Sequence, residues 1–164
     1  MTQDPLADDL PPDDPGEMTR YIENRYHARH RAQLPDLTAL ALRVERVHAD
    51  AAKVPLGLAA LLQNMIGELE VHMKKEELIL FPAIRRGGKP DLENPIAVMR
   101  TDHEDHQAAA AQILTLTENL TLPDGACRSW TALYDGLKTF LDDLDAHLEL
   151  ENQVLFPQFE PEKV

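Results

Sequence analysis

A fifteen-residue stretch occurs twice in this chain, and that repeat limits its fold more than any other feature. Residues 68–82 read ELEVHMKKEELILFP and residues 143–157 read DLDAHLELENQVLFP, with Leu, His, Glu, Leu, Phe and Pro identical at matching places. A second echo pairs His27-x-x-His30 with His103-x-x-His106. The offsets agree: His27 to His103 is 76 positions and His72 to His147 is 75. Such a chain reads as two helix pairs related by a pseudo-two-fold, each supplying the same side chains.

Apolar residues recur at helical spacing, and no convincing strand alternation is present. Breakers divide the chain into four long segments. The first runs from about Met18 to Asp50 and contains Pro35, which is expected to kink it. Pro55 and Gly57 open the second, which ends near Arg86, before Gly87, Gly88 and Pro90. The third runs from Asn94–Pro95 to Leu122–Pro123, and the fourth from Asp124 to Pro157. Long helices with short connections predict an all-α, antiparallel up-down four-helix bundle over residues 18–158, followed by a C-terminal tail, 159–164. Residues 1–17 carry Asp4, Asp8, Asp9, Asp13, Asp14, Glu17 and four prolines without one base, so they are expected to be a disordered acidic tail.

A net charge of −13 argues against a nucleic-acid surface, which needs a basic patch. No run approaches the ~18 apolar residues of a membrane span, and no basic-then-apolar signal opens the chain. Cys127 is the only cysteine, so no intrachain disulfide can form and the cytoplasm is the expected compartment.

The repeat also concentrates chemistry. In His72-x-x-x-Glu76 and His147-x-x-x-Glu151 the two side chains stand one helical turn apart on one face. Beside the apolar Leu-Phe segments they need either each other, as a buried hydrogen-bonded pair, or a metal. In an antiparallel bundle His27 and His103 come to the same level, one histidine per helix. Four imidazoles and two carboxylates are too many for one tetrahedral zinc. They suit two ions spanned by Glu76 and Glu151, and mixed imidazole–carboxylate ligation favours iron or manganese.

Other residues are peripheral on this reading. His48 lies 21 residues from His27, roughly 30 Å along a helix, and is expected to miss the centre. His30 and His106 are either supporting or surface residues. Glu68 and Asp143, one turn before the repeat histidines, are candidate acceptors for the outer imidazole N–H. Glu77, five positions from His72, is expected to be rotated away. Cys127 reads as a small buried hydrophobe or a thiol, and Trp130 and Tyr134 as core.

The segments Tyr26-His27…His30-Arg31…Gln33-Leu34-Pro35, Val44-Glu45-Arg46-Val47-His48, His72-Met73…Lys75-Glu76-Glu77…Leu80-Phe81-Pro82 and His147…Leu150-Glu151-Asn152…Leu155-Phe156-Pro157 resemble the hemerythrin-like domain of the iron–sulfur cluster repair di-iron proteins. Pro95-Ile96, Met99, His103, Ala126-Cys127, Trp130 and Tyr134 extend the match over about residues 20–158. The resemblance implies two non-haem irons, oxo-bridged when oxidised, on His27, His72, His103 and His147 with Glu76 and Glu151 bridging. It further implies repair of clusters damaged by nitrosative or oxidative stress, with nitric oxide or oxygen as small ligands and damaged iron–sulfur proteins as partners. The alternative is a nitric-oxide or oxygen scavenger or sensor without repair activity. Members commonly carry an N-terminal cysteine-pair domain, where this chain has the acidic tail. Oxygen-carrying hemerythrins resemble it more distantly, with paired histidines four apart where His103 and His106 are three apart.

Overall fold

The computed structural model describes residues 10–88 and 90–161. Helix α1 (residues 15–47) comprises α-helical Pro15–Ile22, a π turn at Glu23–His27 and α-helical Ala28–Val47. Helix α2 (58–85) comprises Leu58–Lys75, a π turn at Glu76–Leu80 and Phe81–Arg85. A 3-10 turn at Pro90–Leu92 leads into α3, Glu93–Leu116. Helix α4 (128–159) comprises Arg128–Leu150, a π turn at Glu151–Leu155 and a 3-10 end at Phe156–Phe159. Among the described residues there is no strand, and no helix is long and apolar enough to cross a membrane.

Cross-helix contacts establish antiparallel neighbours. Arg85 meets Glu23 at one end of the α1–α2 pair, while Glu45 accepts from the Gly57 and Ala59 amides at the other, closing the exposed N–H groups that begin α2. Lys75 meets Asp102 between α2 and α3, and Arg100 on α3 meets Glu160 just past the end of α4. The chain therefore forms a four-helix bundle. Helix α1 continues through Pro35, which lies inside it.

The first helix starts earlier than its composition suggested. Asp14 accepts the Glu17 N–H at 2.9 Å and Pro15 occupies the first turn, where its missing N–H costs nothing. Residues 14–17 thus belong to the bundle's entrance rather than to a disordered tail. Residues 1–9 of that expected tail, and 162–164 at the other end, lie outside the described residues.

Two apolar clusters fill the interior. One is built from Met18, Ile22, Phe81, Ile96, Phe156 and their neighbours; the larger one runs from Leu34 through Leu62, Leu69, Trp130 and Phe140. Between them, in every helix, lies a layer of fully or almost fully buried polar residues: His27, His30, His72, Glu76, His103, His106, His147 and Glu151. A close approach of α1 and α4 holds this layer in register. A Cβ on Gly136 would stand 2.6 Å from Leu37 Cδ2. Gly136→Val is therefore expected to cost about 1–3 kcal/mol through overpacking, read as a lower denaturant midpoint at unchanged slope.

Candidate metal centre

The six residues singled out by the repeat come together in two overlapping groups. Ligand atoms of His27, Glu76, His147 and Glu151 lie within 4.8 Å of one another, as do those of His72, Glu76, His103 and Glu151. Both carboxylates belong to both groups, and each histidine to one.

Hydrogen bonding on the outer side of the rings determines what the inner side presents. A neutral imidazole has one N–H and one lone pair. His27 Nδ1 lies 2.8 Å from Glu77 Oε2, His72 Nδ1 3.0 Å from Asp102 Oδ2, and His103 Nδ1 2.7 Å from Asn152 Oδ1. Those oxygens accept, so the Nδ1 atoms donate and each Nε2 turns a lone pair inward. Yet His72 and His103 Nε2 stand 3.2 Å apart. His27 Nε2 is 3.1 Å from Glu76 Oε1, and His103 Nε2 is 3.0 Å from Glu151 Oε1. His147 Nε2 faces Glu151 Oε2 at 2.7 Å. Glu76 Oε2 and Glu151 Oε1 are buried without a hydrogen-bond partner. Converging acceptors in a dry layer suit cations, so this donor set fits metal binding.

Electrostatics agree. Burial, reinforced by Glu151, pushes the Glu76 carboxyl well above the usual range. Burial also opposes ionisation of Glu151, but His147 and the groups bonded to it hold that carboxyl well below its usual range. Burial lowers His27 and His72 to about 4, keeping both rings neutral and able to coordinate at physiological pH. Phe81 stacks on His27 at 5.8 Å and Phe156 on His103 at 5.6 Å, so each repeated Leu-Phe-Pro segment packs a ring against one of these histidines.

Several supporting residues escaped the sequence reading. Glu77 was expected to face away; it reaches sideways to His27 on α1, and Arg31 braces it with contacts of 2.8 and 3.0 Å. Asn152 is its counterpart in the second repeat, five positions after His147 as Glu77 is after His72. That shared offset was the available signal. Glu68 and Asp143 do not fill the role expected of them. Asn64 donates to Glu68 on the exposed surface, whereas Asp143 accepts from Gln33 at 2.8 Å and meets Arg25 and Arg29. His30 supports the centre: its Nε2 is 3.0 Å from His147 Nδ1. Its counterpart His106 packs edge-on against His72, with a buried, unpartnered Nε2. His48 lies far off, with Nε2 3.1 Å from Cys127 Sγ.

Weakening one of these outer contacts has a defined consequence. Arg31→Met leaves Glu77 without its brace, and the His27 ring less firmly held. Metal affinity is expected to fall about 10-fold or more, measured by chelator competition, with helicity unchanged.

Comparison with known proteins identifies the family of this domain. The "Hemerythrin HHE cation binding domain" family matches residues 20–159. A protein of Enterobacter sp. (strain 638), named iron-sulfur cluster repair protein YtfE, is 48% identical over 143 residues, covering 87% of this chain and 65% of that relative. Its namesake in Yersinia pseudotuberculosis serotype O:1b (strain IP 31758) is 48% identical over 138 residues, or 84% of this chain and 62% of the relative. That of Musicola paradisiaca (strain Ech703) is 47% identical over 142 residues, with shares of 87% and 64%. The chain thus spans a little under two thirds of the length of these relatives.

Proposed function

Because the chain belongs to the hemerythrin HHE cation-binding domain family, we propose that it is a non-haem di-iron protein acting in the repair of iron–sulfur clusters damaged by nitrosative or oxidative stress. The observation that carries this reading is the pair of buried His₂Glu₂ groups sharing both carboxylates, with Glu76 Oε2 and Glu151 Oε1 buried and without a hydrogen-bond partner. The similar proteins named for cluster repair supply the biological direction.

His27 and His147 would hold one iron, His72 and His103 the other, and Glu76 and Glu151 would span both. When bound, the irons supply ferrous–ferric redox chemistry and open positions for nitric oxide or oxygen. The chain's own part is to fix the rings through Glu77, Asp102, Asn152 and His30, and to exclude water with its two apolar clusters. Damaged iron–sulfur proteins are the partners this reading requires.

Iron analysis of the purified chain is expected to give about two irons per molecule, the count that six shared ligands suit. The ferric form should show the charge-transfer absorption of an oxo-bridged pair, altered by nitric oxide. A stoichiometry near one, or zinc retained after iron-supplemented expression, would overturn the dinuclear assignment. Reactivation of a nitric-oxide-damaged iron–sulfur enzyme tests the repair role. The second reading, a nitric-oxide or oxygen scavenger or sensor, draws on a cavity of about 110 Å³ beside His30, lined by Leu34, Ile66, Leu69 and Met73, which has room for a diatomic molecule. It predicts ligand binding without reactivation.

A further inference from the structure

The histidine and the cysteine that the metal layer leaves unused lie together elsewhere. His48 caps the C-terminal end of the Ala28–Val47 helix, and Cys127 caps the N-terminus of α4, with Nε2 and Sγ 3.1 Å apart. Cys127 precedes His147 by 20 residues, about 30 Å along a helix, so the pair is well removed from the His–Glu layer. We propose that Cys127 and His48 form a nucleophilic thiol site that reacts with small anionic disulfides to give a mixed disulfide.

The imidazole is placed to take the thiol proton. Its ring packs on Trp130 at 4.8 Å, which fixes its orientation toward Sγ. Helix ends favour the charge-separated pair: the C-terminus of one helix suits a cation and the N-terminus of the other an anion. The His48 ring, helped by the Trp130 and Ser129 amides, holds the thiol below its ordinary range. Cys127 is only half-buried, so a small molecule can reach it.

The surroundings select the charge of that molecule. Cys127 lines a cavity of about 230 Å³ with Arg43, Val44, Val47, Arg128 and Ser129. In a chain of net charge −13, the two charged residues lining this cavity are both arginines. Both are exposed, and neither joins an ion pair among the described residues. A disulfide bearing carboxylates meets two guanidinium groups there, and a cationic one is repelled.

In the reaction the Cys127 thiolate attacks one sulfur of the incoming disulfide. A new S–S bond forms, the old one breaks, and the departing thiolate takes up the proton that His48 accepted from Cys127. Cys127 is oxidised and the departing sulfur reduced, so no other oxidant is needed. With one cysteine in the chain, no internal thiol resolves the adduct, which persists until an external thiol reduces it.

The test treats full-length protein with glutathione disulfide, dianionic at neutral pH, and with cystamine, which is dicationic, each rate being divided by that of free cysteine under the same conditions. Mass spectrometry reads the adduct. The normalised rate with glutathione disulfide is expected to exceed one by at least ~10-fold, to fall toward one in His48→Gln, and to vanish in Cys127→Ser. Arg43→Gln combined with Arg128→Gln should slow glutathione disulfide several-fold and leave cystamine unchanged. Both arginines are exposed, so this variant keeps the test decisive where His48→Gln fails to fold. A wild-type rate equal to that of free cysteine, a His48→Gln rate equal to wild type, or equal preference for the two disulfides would overturn the proposal.

Discussion

Replacing Glu76 by alanine is expected to release most of the bound iron and to abolish or strongly alter the diferric spectrum, and Glu151→Ala to do the same. Each carboxylate belongs to both candidate metal groups, so its loss removes a ligand from two positions at once. A histidine variant such as His72→Ala touches one group only and should lose one iron before the other. The effect in metal-free protein is expected to be opposite in sign. There burial, reinforced by Glu151, pushes the Glu76 carboxyl well above its usual range, so Glu76→Gln spares the fold the cost of ionising a buried group. That variant should be at least as stable as the unsubstituted chain when both lack metal. Metal content and denaturant midpoint, measured on one set of variants, therefore separate ligation from packing. Glu77→Ala should fall between these limits, weakening metal binding about 10–100-fold through the His27 ring it orients. Iron retained in Glu76→Ala and lost in Glu77→Ala would invert the assignment of the bridge.

The meeting of six side chains in one layer was legible in the sequence because it depends on two regular things, helical spacing and internal duplication. His72 and Glu76 share a face at four positions, and the repeat places His147 and Glu151 on an equivalent face. What escaped notice depends on irregularity. The π turns at Glu23–His27, Glu76–Leu80 and Glu151–Leu155 each begin or end on one of the six residues. A local insertion of this kind re-aims the side chains around it. Constant-pitch geometry turned Glu77 toward solvent, whereas it reaches a histidine on the neighbouring helix. Nor could spacing show that the duplication is imperfect. Asp102 and Tyr26 occupy equivalent positions, one before His103 and one before His27. Asp102 accepts a hydrogen bond from His72, but Tyr26 stacks flat on His147 at 5.4 Å. His30 then takes the hydrogen-bonding place that Asp102 fills in the other half. The early helix start had a visible signal, Asp14-Pro15 followed by Glu17, which the acidic composition around it obscured.

Metal-free protein is expected to unfold cooperatively in mild acid, at a higher pH than the iron-loaded form. Burial lowers His27 and His72 to about 4, His106 to about 3 and His30 to about 2, from an ordinary value of 6.5. Between pH 6.5 and 4 these rings stay neutral in the folded chain and bind protons in the unfolded one. Unfolding therefore takes up protons, and stability is full above pH 6.5 and lost as pH falls. Each group contributes a slope of about 1.4 kcal/mol per pH unit in that window. Four together give about 5 kcal/mol per pH unit, enough to exhaust a typical stability of about 5–15 kcal/mol within a few units. Glu151, held low, adds to the acid loss at the lower end. Glu76, pushed high, opposes it, because its burial cost disappears once the unfolded chain also protonates. Four histidines outweigh that single carboxyl. Metal held by the inward Nε2 atoms, as proposed, would have to be displaced before protons could bind there, so the loaded chain should hold its helicity to a pH lower by about one unit. Circular dichroism titrated downward from pH 7.5 on both forms measures the two midpoints. Coincident midpoints, or a metal-free chain still folded at pH 3, would mean that the histidine layer is not the neutral, water-excluded ligand set described above.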